Sequence, residues 1–367
     1  MSQAPDPACP LLLQGLSRPL DVDVAKWDRL LRLARRTGLH ARLAETHLDG
    51  DVTLADPVRR HLLSAKRVAE FRTQMVRAEL FRLAPLCRGD FPVVVLKGGA
   101  YILQERRLSR GRFVSDVDLL VPQSQLRTME ERLRQAGWQT APLDPYDERY
   151  YRDWSHETPP MRFPGRTLEV DLHHALTPVT GRLAFNPQCL FETIRLVTGS
   201  PFHVLAPEDQ VLHACLHCFQ DGDLELRVRE VVDIDGLVRE LAPEPKFWDQ
   251  LVRRAGRLGL ERPLWYGLSF ARLWLGCPIP EQVLAGLPAP SRGTTWIMDR
   301  LVPLAMLPPD PDYPEPAKVR WARRAMLARY HLQRMPAGML VPHLARKVLR
   351  RTLARHVGSE AEENNGA

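Results

Sequence analysis

Val93-Val94-Val95-Leu96-Lys97-Gly98-Gly99, followed by Ser115-Asp116-Val117-Asp118-Leu119-Leu120-Val121, is the stretch on which the reading of this chain turns. The first piece is an apolar run ending in two glycines, then an apolar-periodic segment with Ala100, Ile102 and Leu103: a strand, a turn and a helix. The second piece sets two carboxylates at i and i+2 of an otherwise apolar run. Side chains alternate along a strand, so Asp116 and Asp118 share one face while Val117, Leu119 and Val121 turn to a core. Two acids held side by side repel each other and are costly to bury unless a cation sits between them. Oxygen-only ligands suit Mg²⁺, which is commonly shared with substrate phosphates. Gly98 and Gly99 leave room for backbone N–H groups to approach a phosphate at a helix N-terminus.

A third acid follows. Thr167-Leu168-Glu169-Val170-Asp171-Leu172-His173 alternates again, with Leu168, Val170 and Leu172 inward and Glu169, Asp171 and His173 sharing the other face. A glycine turn, an Asp-x-Asp strand and a later acid on a strand resemble the nucleotidyltransferase superfamily that includes DNA polymerase β. The chain is more closely similar to a bacterial group of uncharacterised nucleotidyltransferases. The resemblance rests on Leu96-Lys97-Gly98, Arg112, Ser115 to Val121 and Asp171-Leu172-His173, and extends to Trp27-Asp28-Arg29-Leu30-Leu31, Arg229 to Leu237 and Leu275 to Pro280. It covers roughly residues 20–290, and the assembled motif is specific although each piece alone is weak.

The resemblance implies an NTP, such as ATP, as donor and a hydroxyl as acceptor, with pyrophosphate leaving. It further implies that Asp116 and Asp118 bridge two Mg²⁺ ions (or Mn²⁺), and that Asp171 holds the second and helps activate the acceptor. Lys97, Gly98, Gly99, Arg112 and Ser115 become candidate nucleotide contacts. Glu169, His173 and Asp233 are candidates for a supporting role. Neutralising Asp116 and Asp118 together is expected to leave the fold intact, since it removes clustered like charge.

Composition fits this reading. With 44% apolar and 26% charged residues, the 367-residue chain reads as globular and long enough for more than one packed unit. No apolar run approaches the roughly 20 residues of a spanning helix, and Met1 to Pro10 lack the cationic start of a signal peptide. The six cysteines form no framework, which fits free thiols in a reducing cytoplasm. The net charge of +7 is concentrated: eleven Lys or Arg and no Asp or Glu lie between Lys318 and Arg355, leaving the rest mildly acidic.

These signals predict an α+β protein with a polymerase β-like nucleotidyltransferase core, a short mixed sheet with helices, flanked by N- and C-terminal helical regions. The expected units are a poorly ordered leader (1–20), a helical region (21–90), the core (91–180), a helical domain (181–302), and a Pro-rich linker with a basic helical tail (303–367). The proline-marked linker predicts a semi-independent tail able to meet RNA or an anionic membrane surface. His213 and His217, one helical turn apart, suggest zinc, but their apolar neighbours favour a core helix. Two other classes stay open beside the enzyme: a non-catalytic NTP-binding or interaction protein, and an RNA-binding module using the tail.

Overall fold

The computed structural model of the chain describes residues 8–334, apart from 51, 143, 145–150, 152–153, 179–180, 182, 184, 221–223 and 226. It opens with four helices: α1 (Ala8–Ser17), α2 (Val24–Arg36), α3 (His40–His47) and α4 (Asp56–Leu83). The Asp23 carboxylate caps α2 by accepting from the Lys26 N–H, and Trp27, Leu30, Leu31, Leu33 and Ala34 form its buried stripe. α1 corrects the expectation of a poorly ordered leader. Pro10 sits in its first turn, where proline is tolerated, and Leu12 is fully buried in the cluster formed with α2.

One mixed sheet follows, built from β1 (Val94–Val95), β2 (Asp116–Leu120), β3 (Gln139–Thr140), β4 (Met161–Arg162), β5 (Glu169–His173), β6 (Arg195–Leu196) and β7 (His203–Val204). Their spatial order is β3-β4-β5-β2-β1-β7-β6. β2 is parallel to β5 and antiparallel to β1, while β1 is parallel to β7. The sheet therefore continues past residue 180. α5 (Lys97–Leu103) and α6 (Leu126–Gln135) connect its strands, and Gly137, with φ 100°, turns the chain after α6.

After the short α7 (Gln188–Phe191) come α8 (Pro207–Gln220), α9 (Val228–Leu241), α10 (Phe247–Leu258), α11 (Glu261–Leu275), α12 (Glu281–Gly286), α13 (Arg292–Met306) and α14 (Ala317–Arg334). A single apolar cluster joins these helices to the sheet. α11 crosses α8 so tightly that a Cβ at Gly267 would lie 2.3 Å from Cys215 Sγ, a close approach that needs glycine. The architecture is α+β, as expected.

The linker is not free. Arg29 bonds Asp310 and Asp312, and Arg32 bonds Asp312, fastening the proline stretch to α2. α14 buries Val319, Ala322 and Met326, while Arg323 pairs with Glu225 and Glu315. Arg329 donates to the Phe219 carbonyl, 3.2 Å away. This half of the basic tail therefore covers the body with its apolar stripe; the remainder, 335–367, lies outside the described residues. Deleting 317–367 is expected to lower the thermal midpoint by several degrees, because Val302, Ala305 and Met306 of α13 lose their cover. Deleting 335–367 alone is the control, since it leaves α14 and its contacts with α13 in place. Calorimetry on both truncations distinguishes a packed helix from an independent tail.

Candidate active site

β2 and β5 lie side by side in parallel, with Asp118 opposite Asp171 and Asp116 opposite Glu169. Same-face side chains on paired strands are close neighbours, about 4.8 Å apart along the hydrogen-bonding direction. Strand alternation thus places Asp116 and Asp118 on one face, and strand pairing brings Asp171 beside Asp118.

Asp118 is 4% exposed and its Oδ1 is doubly engaged, 3.0 Å from Lys97 Nζ and 3.0 Å from His173 Nε2. Burial opposes its ionisation, but Lys97 and then His173 outweigh that and hold it well below the usual carboxylate range. Burial likewise works against the Lys97 ammonium, and Asp118 reverses this and raises its pKa. Lys97 reaches Asp118 from a left-handed backbone (φ 44°) at the start of α5, a conformation that costs a non-glycine residue about 1–3 kcal/mol.

Asp116 and Asp171 differ from Asp118. Burial and the charge of Asp118 raise Asp116, against the opposing pull of Lys97, Arg112 and Arg229. Burial, then Asp118 and Glu157, push Asp171 up to about 7. Asp171 Oδ1 is buried and has no hydrogen-bond partner among the described residues. Glu169 is tied across the β4–β5 pair to Arg162.

Above the acids opens a cleft of about 250 Å³. Its lining includes Lys97, Gly98, Arg112, Ser115, Asp116 and Asp118 from the sheet side, and His217 of α8, Arg227 just before α9, and Arg229, Glu230 and Asp233 of α9. Asp171 lies one strand further away, and Gly99 packs on Val95 instead of lining the cleft. Arg112 donates from Nε to Asp233 Oδ2 at 2.8 Å, so Asp233 holds the arginine in place. A Cβ at Gly98 would stand 2.2 Å from Arg112 Nη1 and 2.8 Å from Val114 Cγ2. The glycine is needed for that guanidinium to pass over the first turn of α5.

The sequence reading missed the far wall. Arg227 pairs with Glu230 at 2.7 Å, Glu230 also meets His217 at 3.1 Å, and Arg229 faces Asp116 with no ion pair among the described residues. Arg229 and His217 fell inside segments already singled out, but nothing in their spacing pointed to the cleft. Asp235 pairs with Arg239 on its own helix, 2.9 Å away, and turns to Cys277, away from the cleft lining. His213 is buried in the core and belongs to no metal-capable group among the described residues, so zinc at His213 and His217 gains no support.

A family model described as an uncharacterised nucleotidyltransferase matches residues 23–276. The chain belongs to that family. Membership makes transfer of a nucleotide group its reaction class and a nucleotide its substrate. No curated protein and no solved structure matches the chain. No helix among the described residues is long and apolar enough to cross a membrane.

The fit of a divalent cation to the acids is mixed. The oxygen-only donor set, the unpartnered Asp171 Oδ1 and the raised Asp116 and Asp171 carboxyls are what a hard cation relieves. Against this, Asp118 Oδ1 is already engaged, and Asp116, Asp118 and Asp171 are not among the described groups that bring one ligand atom each within 4.8 Å of one another. Asp116 and Asp171 are therefore the acids with open oxygens.

Proposed function

We propose that this nucleotidyltransferase moves a nucleoside monophosphate from an NTP to a hydroxyl of an acceptor, with pyrophosphate leaving, on a polymerase β-like core. The observation that supports this most is the acid row beside a cationic wall: Asp116 and Asp118 line the cleft with Lys97, Arg112, Arg227 and Arg229, and Asp171 lies next to Asp118 on the paired strand. Arginine forks match phosphate oxygens in two-point contacts, so Arg229 is the residue best free to grip the β- and γ-phosphates. Arg112, fixed by Asp233, would bind as a preset donor, and Ser115 and Gly98 border the same space. Asp116, Asp118 and Asp171 would hold the divalent ions, Mg²⁺ by the hardness of their oxygens, with Mn²⁺ a substitute. When bound, the ions supply neutralisation of phosphate charge. Asp171, with a pKa near 7 and an open oxygen, is suited to accept the proton of the attacking hydroxyl. His173 keeps Asp118 oriented.

A second reading, nucleotide binding without turnover, is favoured by the prior engagement of Asp118 by Lys97 and His173. A further proposed contact, RNA or an anionic membrane at the basic tail of a cytoplasmic protein, now rests on residues beyond Arg334.

The test uses α-labelled and γ-labelled NTPs with a cell extract as acceptor source. Transfer of the α-label with release of pyrophosphate is expected from the wild type, and loss of that transfer from Asp116→Asn, which leaves the Lys97–Asp118 pair in place. Transfer of the γ-label would sink the proposal. Metal-dependent NTP binding with no transfer of either label would favour the second reading.

A further inference from the structure

The β4–β5 pairing carries an irregularity next to the acids. Met161 faces Val170 and Arg162 faces Glu169, a register that would set Thr158 opposite His173. The bridge to His173 instead comes from Glu157, so one extra residue is accommodated between Glu157 and Met161, where Pro159 and Pro160 lie. Bulges of this kind tolerate proline and re-aim side chains. The chain also bends at His156, whose carbonyl accepts from the backbone N–H of His174 at 2.9 Å, while the Thr158 N–H donates to the Leu172 carbonyl at 2.8 Å. Consecutive residues on a regular strand would point to opposite faces. Here His156 and Glu157 converge on His173.

The convergence has ligand geometry. Glu157 Oε2 stands 3.6 Å from His156 Nε2 and 3.6 Å from His173 Nδ1. One ligand atom from each of the three residues lies within 4.8 Å of the others. Bonds of about 2.0–2.2 Å to nitrogen and oxygen imply ligand-to-ligand edges of about 3.3 Å around a tetrahedral ion, so small shifts would close the set. No hydrogen bond engages the His156 ring among the described residues, and its Nδ1 is buried without a partner. The remaining nitrogen of His173, Nε2, bonds Asp118 Oδ1 at 3.0 Å. A metal-ligating histidine typically donates its other N–H to a carboxylate, which fixes the tautomer and strengthens the ligand.

We propose that His156, Glu157 and His173 form a site for a first-row transition ion of the Zn²⁺ class, separate from the cation expected at the acid row. Two imidazoles and one carboxylate select such an ion over Mg²⁺, which prefers oxygen alone. Bound there, the ion clamps the 155–158 segment to β5 and holds the His173 ring toward Asp118. The proposal is independent of the nucleotide reading of the cleft.

The test uses the full chain stripped with chelator and no nucleotide. Zn²⁺ titration by calorimetry is expected to give one site, with a rise in melting temperature on loading, because a ligand that binds only the folded state stabilises it. Co²⁺ is expected to give visible absorption bands of a low-symmetry site. His156→Ala and Glu157→Gln are each expected to weaken Zn²⁺ by more than about 1,000-fold and remove the bands, a larger effect than the 10–100-fold of a lost supporting contact. His61→Ala, on the exposed side of α4, is expected to change nothing. Zn²⁺ affinity unchanged in both site variants, or no Zn²⁺ bound by the wild type at tenfold excess, would overturn the site. Zn²⁺ bound at this site by a wild type that transfers no α-label in the separate NTP experiment would count against the proposed function alone.

Discussion

Asp118→Ala is expected to lower folding stability by about 3–5 kcal/mol, the cost of leaving a buried charge without its partner. The charge left behind is the Lys97 ammonium, placed 3.0 Å from Asp118 Oδ1 with 22% of its side chain exposed. Lys97→Met should also destabilise, since Asp118 then keeps only His173. The double variant, Lys97→Met with Asp118→Ala, should recover part of the loss, because a removed pair leaves no orphan charge. Denaturant midpoints of the four proteins close a double-mutant cycle. A coupling energy near zero would show that the pair is not formed. Two limits in pH follow. Asp118 is depressed, so its contribution is present above the ordinary carboxylate value of 3.8 and is lost as pH falls through the lower folded value. Lys97 is raised, so its contribution is present below 10.5 and is lost as pH rises through the folded value. The pair should therefore stabilise the fold across the neutral range and fail at both ends.

That result revises an expectation drawn from the sequence, where Asp116 and Asp118 looked alike and neutralising both looked harmless. The strand alternation was legible, and it placed Asp116 with Asp118 and Asp171 with His173 correctly. What one strand cannot reveal is its neighbours. The parallel pairing that sets Asp118 against Asp171, and the backbone turn that swings Lys97 onto Asp118, come from strand order and a left-handed φ. Arg229 lies more than a hundred residues from Asp116 and reaches the cleft only because α9 packs beside the sheet. The bulge at Pro159 and Pro160 follows from the register between β4 and β5, which no single stretch of sequence carries. At the ends, prolines misled in both directions. Pro10 sits in the first turn of α1, and Pro303 lies inside α13 instead of opening a linker. In each case buried apolar contacts, at Leu12 and at Val302 with Met306, outweigh the local preference of proline. The family resemblance was legible because it rests on local motifs, which tertiary packing does not rearrange.

Asp171→Asn separates chemistry from binding, and it should do so with a stability effect of opposite sign to Asp118→Ala. If Asp171 takes the proton of the acceptor hydroxyl, its loss should cut label transfer by about 10²–10⁴-fold, the usual worth of a positioned base. NTP affinity should stay within a few-fold, since Asp171 lies outside the cleft lining and Arg112 and Arg229 are untouched. The same substitution should stabilise the protein free of nucleotide and metal. With its pKa raised to about 7, the native state keeps a proton that the unfolded chain, near 3.8, releases. Wild-type stability therefore falls as pH rises from about 4 to about 7 through this group. Asparagine has no charge to bury, so its advantage over the wild type should grow across that window and stay constant above it. Melting curves at pH 4.5, 6 and 8 measure this, and single-turnover transfer of the α-label measures the chemistry. A variant that transfers label at the wild-type rate would remove Asp171 from the reaction, whatever its stability. A variant slow in transfer but no more stable at pH 8 would show that a cation or a neighbour already relieves the Asp171 charge in the resting protein.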